Sequence, residues 1–261
     1  MNKILSILLA CTAAGAAYGA QETAQETGQA AKNVAIDSVV VTGARYASDI
    51  RHLPMSVAVV DRDEIVRRQE ASVLPLLTEQ VPGLFVTGRG VMGYGVSDGA
   101  AGGISLRGIG GGSAAQMLVL IDGHPQYMGL FGHPIADAYQ SMLAERVEVV
   151  RGPASVLYGS NAMGGVINIV TRKMHEDGVK TDLHAGYGSY NTLETEVTNQ
   201  IRAERFTSTV TGSYNRTDGH RRNMGFEQYG GYAKLGYRIA QAWDLYADVN
   251  LSLIHISEPT R

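Results

Sequence analysis

The last third of the chain alternates between mostly apolar and mostly polar positions in five stretches. The apolar rows are Leu183-Ala185-Tyr187, Leu193-Thr195-Val197-Asn199-Ile201, Phe206-Ser208-Val210-Gly212-Tyr214, Tyr229-Gly231-Ala233-Leu235-Tyr237-Ile239 and Trp243-Leu245-Ala247-Val249-Leu251. Because successive side chains of a strand point to opposite faces, this period predicts antiparallel strands of about ten residues. Several rows end in Tyr or Trp, which favours a membrane-facing wall over a soluble sandwich with the same alternation.

The middle of the chain mixes short strands with short helices and long glycine-rich loops. Asp61 and Ser72 are candidate helix N-caps, and Pro82-Gly83 ends the second helix. We predict a small α+β domain. Its strands are expected at 56–60, 84–87, 104–108, 117–121, 147–150 and 166–170, and its helices at 61–69, 72–79 and 153–158.

The N-terminus has the pattern of an export signal. Lys3 precedes a short apolar run and small residues up to Ala20, so residues 1–20 are predicted to be removed on secretion. A lipoprotein signal ending at Cys11 is the alternative. The polar residues 21–36 are predicted to form a flexible linker, because they cannot bury enough apolar surface to order themselves.

A short β-branched run follows the linker, at residues 37–43. An extended segment without a partner of its own can add to the sheet edge of another protein through main-chain hydrogen bonds. It can equally be the first strand of the domain that follows. The residues themselves leave both interpretations open.

Composition narrows the functional classes. The 261 residues carry 22 basic and 25 acidic side chains, a net charge of −3, so no nucleic-acid surface is predicted. The only cysteine, Cys11, lies in the export signal, so no disulfide framework is expected. Residues 88–93 match G-x-G-x-x-G, but the glycine-rich sequence that follows cannot begin the helix of a dinucleotide site. With no catalytic set in view, we predict neither an enzyme nor a bound cofactor.

Three motifs of the middle domain occur in order: Ile104-Ser-Leu-Arg107-Gly108, Val119-Leu-Ile-Asp122-Gly123, and the run from Glu145 through Arg151-Gly152-Pro153 to Thr171-Arg172. Together they closely resemble the plug domain of TonB-dependent outer-membrane transporters. The resemblance implies an α+β plug at 44–173, with a small mixed sheet and short helices. It also implies an antiparallel transmembrane β-barrel of 22 strands in the family, of which 179–251 would form about the first five.

The resemblance also decides between the two interpretations of residues 37–43. It identifies them as the TonB box, with Asp37, Ser38, Val39, Val40, Val41 and Thr42 as the residues that bind TonB. The implied partners are the TonB energy-transducing complex, outer-membrane lipid and a metal-chelate or vitamin ligand. The expected location is the outer membrane of a Gram-negative bacterium, as a monomer.

Candidate site residues fall into two sets. Residues on two predicted apical loops are expected to contact the nutrient: Arg89, Met92, Tyr94, Asp98, His124, Tyr127, Met128 and His133. Aromatic and Met side chains suit a large organic ligand, whereas the spacing of the two histidines matches no metal site. By resemblance, Arg107 and Arg151 are expected to pair with acidic residues of the barrel.

We therefore predict part of a transporter that takes up a ferric siderophore, haem or cobalamin. A passive porin or adhesin with a plug and a SusC-like glycan importer are the alternatives. Residues 252–261 break the alternation and resemble a translated sequencing adapter, so a non-native tail is expected there. Twenty-two strands of about ten residues need about 220 residues, so a chain of this length is expected to be truncated.

Overall fold

A computed structural model describes residues 39–40, 42, 48–88, 90–94, 102–111, 116–126, 135–240 and 243–256. Two short strands come first, and a domain of strands and short helices follows. The strands of this part are β1 (Val39–Val40), β2 (Ser48–Asp49), β3 (Val57–Val60), β4 (Leu84–Val86), β5 (Ile104–Leu106), β6 (Ile109–Gly110), β7 (Met117–Ile121), β8 (His124–Pro125), β9 (Ala144–Arg151) and β10 (Gly165–Thr171). The helices are α1 (Arg62–Arg68), α2 (Val73–Gln80) and α3 (Ser155–Tyr158).

The helix boundaries follow the capping residues. Asp61 accepts a hydrogen bond from the N–H of Glu64 at 2.9 Å, and Ser72 accepts one from the N–H of Leu74 at 3.3 Å. Each side chain satisfies a donor that the first helical turn leaves free. No helix of the described ranges is long and apolar enough to cross a membrane.

The centre of the domain is a mixed sheet with the strand order β3-β9-β10-β7-β8. β10 runs parallel to β7 and antiparallel to β9. β7 is buried along its whole length because it is covered on both faces. Met117, Val119 and Ile121 join the main core with α1 and α2, whereas Leu118 and Leu120 join a smaller cluster. Burial on both faces explains why β7 is an unbroken apolar run in the sequence.

The second part is a sheet of five antiparallel strands in chain order. They are β11 (Gly178–Gly188), β12 (Thr192–Ala203), β13 (Phe206–Thr217), β14 (Phe226–Ala240) and β15 (Trp243–Ile256). One face is polar and packs against the first domain, where Glu196, Thr198 and Gln200 are buried. The other face exposes the apolar rows predicted from the sequence, including Leu183 and Trp243. The structure thus consists of an α+β domain followed by antiparallel strands with one apolar face, as the sequence predicts.

The last strand extends further than the sequence suggested. Residues 252–256 continue β15 and pair with Phe226 to Gly230. Ser252 accepts a hydrogen bond from Gln228 at 3.1 Å, and Leu253 lies on the exposed apolar face. The alternation therefore continues through Ile254 instead of breaking after Leu251, because a serine and an isoleucine also fit the inward row.

The two ends of this sheet differ. At one end, which we call the turn end, Glu204-Arg205 connects β12 to β13, and β14 connects to β15. At the other, which we call the loop end, residues 218–225 connect β13 to β14.

Candidate functional site

The segment at 37–42 ends inside the first domain. β1 pairs antiparallel with β2, and Thr42 is only 1% exposed. Thr42 donates hydrogen bonds to the carboxylate of Glu148 from its backbone N–H (2.8 Å) and from its hydroxyl (2.6 Å). Asp37, Ser38 and Val41 lie outside the described residues. The C-terminal end of the segment is thus held by the chain itself.

At the turn end, an ion pair joins the first domain to the five-stranded sheet. Asp122 follows β7 in a left-handed conformation (φ +49°), and its carboxylate accepts hydrogen bonds from Lys234 on β14 and from Thr171. The Thr171 backbone N–H donates to the same carboxylate at 2.8 Å. The Lys234 ammonium also lies 5.2 Å from the centre of the Tyr246 ring, in cation–π range. Both charged side chains are largely buried.

The hydrogen bonds change the acidity of Asp122. Burial by itself raises the pKa of this carboxyl group, but hydrogen bonds from Lys234 and Thr171 lower it more. The net result is a pKa below the ordinary value of 3.8. The Asp122 carboxylate is therefore ionised at neutral pH.

We expect acid to weaken this contact only below about pH 4, because an ionised group whose pKa is lowered by folding stabilises the folded state down to its ordinary pKa. The contribution of the ionised Asp122 to the free energy of unfolding is complete above pH 3.8, the ordinary pKa. It is lost as the pH falls through the lowered pKa of the folded state. The measurement is the difference in unfolding free energy between the parent and the Asp122→Asn variant at several pH values. A difference that already shrinks between pH 7 and pH 5 would contradict the assignment.

A second ionic contact joins the end of β10 to β11. Arg172 is buried and donates from Nη2 to the carboxylate of Asp182 at 2.5 Å. Glu196, buried on β12, lies within electrostatic range of both Arg172 and Arg62 of α1. Arg62 itself donates to the backbone carbonyl of Ala144 at 2.9 Å. The first domain thus presents arginines to a stretch of the sheet that carries carboxylates.

Neutral hydrogen bonds join the two parts nearer the loop end. Gln140 donates to the hydroxyl of Ser213 at 2.9 Å, and Gln228 donates to the backbone carbonyl of Asp137 at 2.6 Å. Gly230 has no room for a Cβ atom, because the amide of Gln140 and the hydroxyl of Ser213 occupy that space. A Cβ atom at this position would therefore displace the hydrogen bond between Gln140 and Ser213.

Comparison with known proteins identifies the first domain. The family model described as the TonB-dependent receptor plug domain matches residues 49–166. Residues 49–166 are a plug domain of the TonB-dependent receptor type. The family resemblance of its motifs is thereby confirmed. The domain is called the plug from here on, and strands β11 to β15 are called the wall.

Solved receptors share the fold of the plug and wall. FpvA of P. aeruginosa, bound to a heterologous pyoverdine, is 17% identical with a TM-score of 0.67 over 82% of this chain and 27% of FpvA. The alcaligin outer-membrane receptor FauA of Bordetella pertussis is 19% identical with a TM-score of 0.67, over 84% of this chain and 35% of FauA. The siderophore receptor PirA of Pseudomonas aeruginosa is 22% identical with a TM-score of 0.56, over 76% of this chain and 35% of PirA. This chain thus spans about a third of the length of these receptors.

Two of the predicted ligand residues lie in the described part of the first plug loop. Met92 is half-buried, and Tyr94 packs against the main core of the plug. Burial raises the pKa of the Tyr94 hydroxyl to about 12, and its backbone N–H donates to Asp137 at 2.8 Å. Tyr94 therefore already has a role in packing. Five further candidates lie outside the described residues: Arg89, Asp98, Tyr127, Met128 and His133.

His124 does not join Met92 and Tyr94, contrary to the expectation of one group of apical residues. Its ring contacts Tyr246 of β15, with Nε2 against the hydroxyl, whereas Gly93 lies against Phe226. Tyr246 pairs with Gly236, which is ten positions from Phe226 along β14, or about 33 Å at ~3.3 Å per residue. The tight turn at Asp122 places His124 towards the turn end, which sequence position alone did not reveal.

Arg107 and Arg151 make no ion pair within the described residues. Arg107 is exposed in a left-handed turn (φ +53°). Arg151 donates from Nη2 to the hydroxyl of Ser56 at 2.6 Å, inside the plug. Their pairing with acidic residues of a barrel stays a prediction.

The contacts that do join plug and wall were not among the predicted sites. In the sequence, Asp122 stands out only within a family motif, and no pattern assigns a role to Lys234. One signal was present in the sequence: a charged residue on the inward face of a wall strand needs a partner of opposite charge. Sequence alone does not say which plug residue that partner is.

Proposed function

We propose that the receptor to which this chain belongs imports a ferric siderophore across the outer membrane of a Gram-negative bacterium, driven by the TonB complex. In this proposal, residues 1–20 direct export, 21–36 form the tether, and 37–43 form the TonB box with Asp37 to Thr42 as the contact residues. Residues 44–173 form the plug, and 179–251 begin the barrel.

The observation that carries the proposal is the division of the wall into two faces. The plug covers the polar face through Lys234, Asp182 and Ser213. The opposite face exposes Leu183, Tyr187, Trp243 and Leu253, each at least 70% accessible. An apolar face of this size on every strand suits lipid, with aromatic side chains at the interface. A plug on the inner face suits a pore that must stay closed until it is actively opened.

The cargo class follows from the relatives. FpvA is described as bound to pyoverdines, FauA as an alcaligin receptor and PirA as a siderophore receptor. We extend this to a ferric siderophore for the present receptor, held near the loop end by Met92 and by the predicted contacts at Arg89, Asp98, Tyr127, Met128 and His133. The receptor acts by binding and movement, as a monomer and without catalysis.

Deleting residues 37–42 from the receptor tests this proposal. We expect uptake of ferric siderophore by cells to fall to background, because the segment through which the TonB complex acts is gone. Binding of the same ligand at the cell surface should stay within about twofold, since the ligand loops lie at the other end of the plug. Radiolabelled iron measures both quantities, and deletion of residues 24–29 of the linker is the control of equal length.

Two outcomes contradict the proposal. Uptake that survives the deletion would indicate a passive porin or an adhesin, which needs no energy coupling. If the receptor never binds a ferric siderophore and the deletion abolishes uptake of haem, cobalamin or a glycan, the proposed cargo is wrong. Energy coupling would then still be supported.

A further inference from the structure

Thr42 is fixed at every polar atom of its backbone and side chain. Its N–H and hydroxyl donate to Oε2 of Glu148 at 2.8 and 2.6 Å, and its carbonyl accepts the hydroxyl of Tyr158 at 2.8 Å. These partners lie 106 and 116 residues away in the chain, so they are tertiary contacts and not a local turn. We call Thr42, Arg146, Glu148 and Tyr158 the Thr42 docking site.

Glu148 is a fully buried carboxylate in the middle of the plug sheet. It lies on β9, in register with Val59 of β3 and Asn168 of β10. Its Oε1 accepts a hydrogen bond from Arg146 at 2.8 Å, which leaves Oε2 to Thr42. A buried carboxylate is costly unless its oxygens are hydrogen-bonded. Thr42 therefore supplies two of the hydrogen bonds that this buried carboxylate accepts.

We propose that Glu148 positions the C-terminal end of the TonB box, so that a pull on residues 37–41 enters the plug at β9, an inner strand of the sheet. This inference rests on the proposed function. The alternative path runs through residues 43–56 to β3, which is the edge strand of the sheet. The docking site thus decides which strand receives the force.

Docking ties the C-terminal end of the box to β9 through the two hydrogen bonds from Thr42 to Glu148. An edge strand is bonded on one side only, whereas β9 is bonded to both β3 and β10. Loss of docking should therefore expose the box and lower the yield of transport.

The experiment measures exposure of the box in receptor whose only thiol is introduced by Val40→Cys. We expect a periplasmic maleimide to label this thiol about tenfold faster when Glu148→Gln is added, since hydrogen bonds to a charged group are replaced by weaker neutral ones. Tyr158→Phe removes the hydrogen bond to the Thr42 carbonyl and should speed labelling about threefold. Glu145→Gln, at an exposed position of the same strand, is the matched control and should leave the rate unchanged.

Ferric siderophore binding and uptake are measured on the same variants. Faster labelling with normal binding and reduced uptake supports the proposal. Unchanged labelling in Tyr158→Phe overturns it, and so does unchanged labelling in Glu148→Gln. Tyr158→Phe alone decides the matter if Glu148→Gln fails to reach the membrane. The docking hypothesis and the proposed function fail in different experiments. Uptake that survives deletion of residues 37–42 refutes the proposed function. The labelling rates of the point variants test docking in either case.

Discussion

Replacing Gly165 by alanine is expected to destabilise the plug by about 3–5 kcal/mol, among the largest effects of a single methyl group. Gly165 begins β10 between β9 and β7, opposite Arg151 and Met117. Its φ of +152° is a region that L-residues rarely adopt, and a Cβ atom there would overlap the backbone carbonyl oxygen of Val150. A backbone atom in the middle of a sheet cannot move aside. The cost of the strained φ angle and the cost of the overlap therefore add.

Gly152→Ala separates these two causes. Gly152 also has a positive φ (+138°), but a Cβ atom there meets nothing within 4 Å. Its substitution should cost only the conformational part, about 1–3 kcal/mol. The measurement is the midpoint of guanidinium unfolding of the purified receptor in detergent, together with protease resistance of the plug. Equal losses for the two variants would refute the role of the Val150 carbonyl.

Removing the Asp122 carboxylate is expected to loosen the plug from the wall at the turn end. Asp122→Ala leaves the largely buried ammonium of Lys234 without its carboxylate and the Thr171 N–H without its acceptor. Breaking a buried pair on one side typically costs about 3–5 kcal/mol. We expect a loss near the lower limit of this range, because Lys234 keeps the ring of Tyr246 as a neighbour.

A double-mutant cycle measures the pair itself. Lys234→Met alone should cost less than Asp122→Ala, because Asp122 keeps both hydrogen bonds from Thr171. The double variant should recover about 1–3 kcal/mol relative to the sum of the single losses. Asp244→Ala, which breaks the exposed pair of Asp244 with Arg238, is the control and should cost less than about 1 kcal/mol. Strict additivity of Asp122→Ala and Lys234→Met would show that the two charges do not interact.

Most of the fold could be predicted because each element satisfies a local rule. The inward and outward rows of the wall follow from a period of two, and α1 and α2 follow from their capping residues Asp61 and Ser72. The motifs around Asp122 and Arg151 identified the plug. β15 continues past Leu251 because Ser252 fits the polar inward row and Leu253 the apolar outward row.

The contacts between plug and wall were not predicted from the sequence. Arg107 and Arg151 were singled out, whereas the contacts seen between plug and wall use Asp122 with Lys234 and Arg172 with Asp182. His124 was grouped with Met92 from loop position, although the turn at Asp122 carries it towards the other end of the wall. Each of these assignments depends on which side chains meet when separate strands pack together, and local pattern carries no such information.

The sequence by itself determined the hydrophobic alternation of the strands, the N-caps of the helices and the glycines that allow tight turns. From these follows the order of a plug followed by wall strands. Only the tertiary structure decided which buried charges face each other, that Thr42 docks on Glu148, and which end of the wall each loop reaches. The physical reason is that hydrophobic periodicity is a property of neighbouring residues. The partner of a buried polar group is instead chosen by the packing of distant segments.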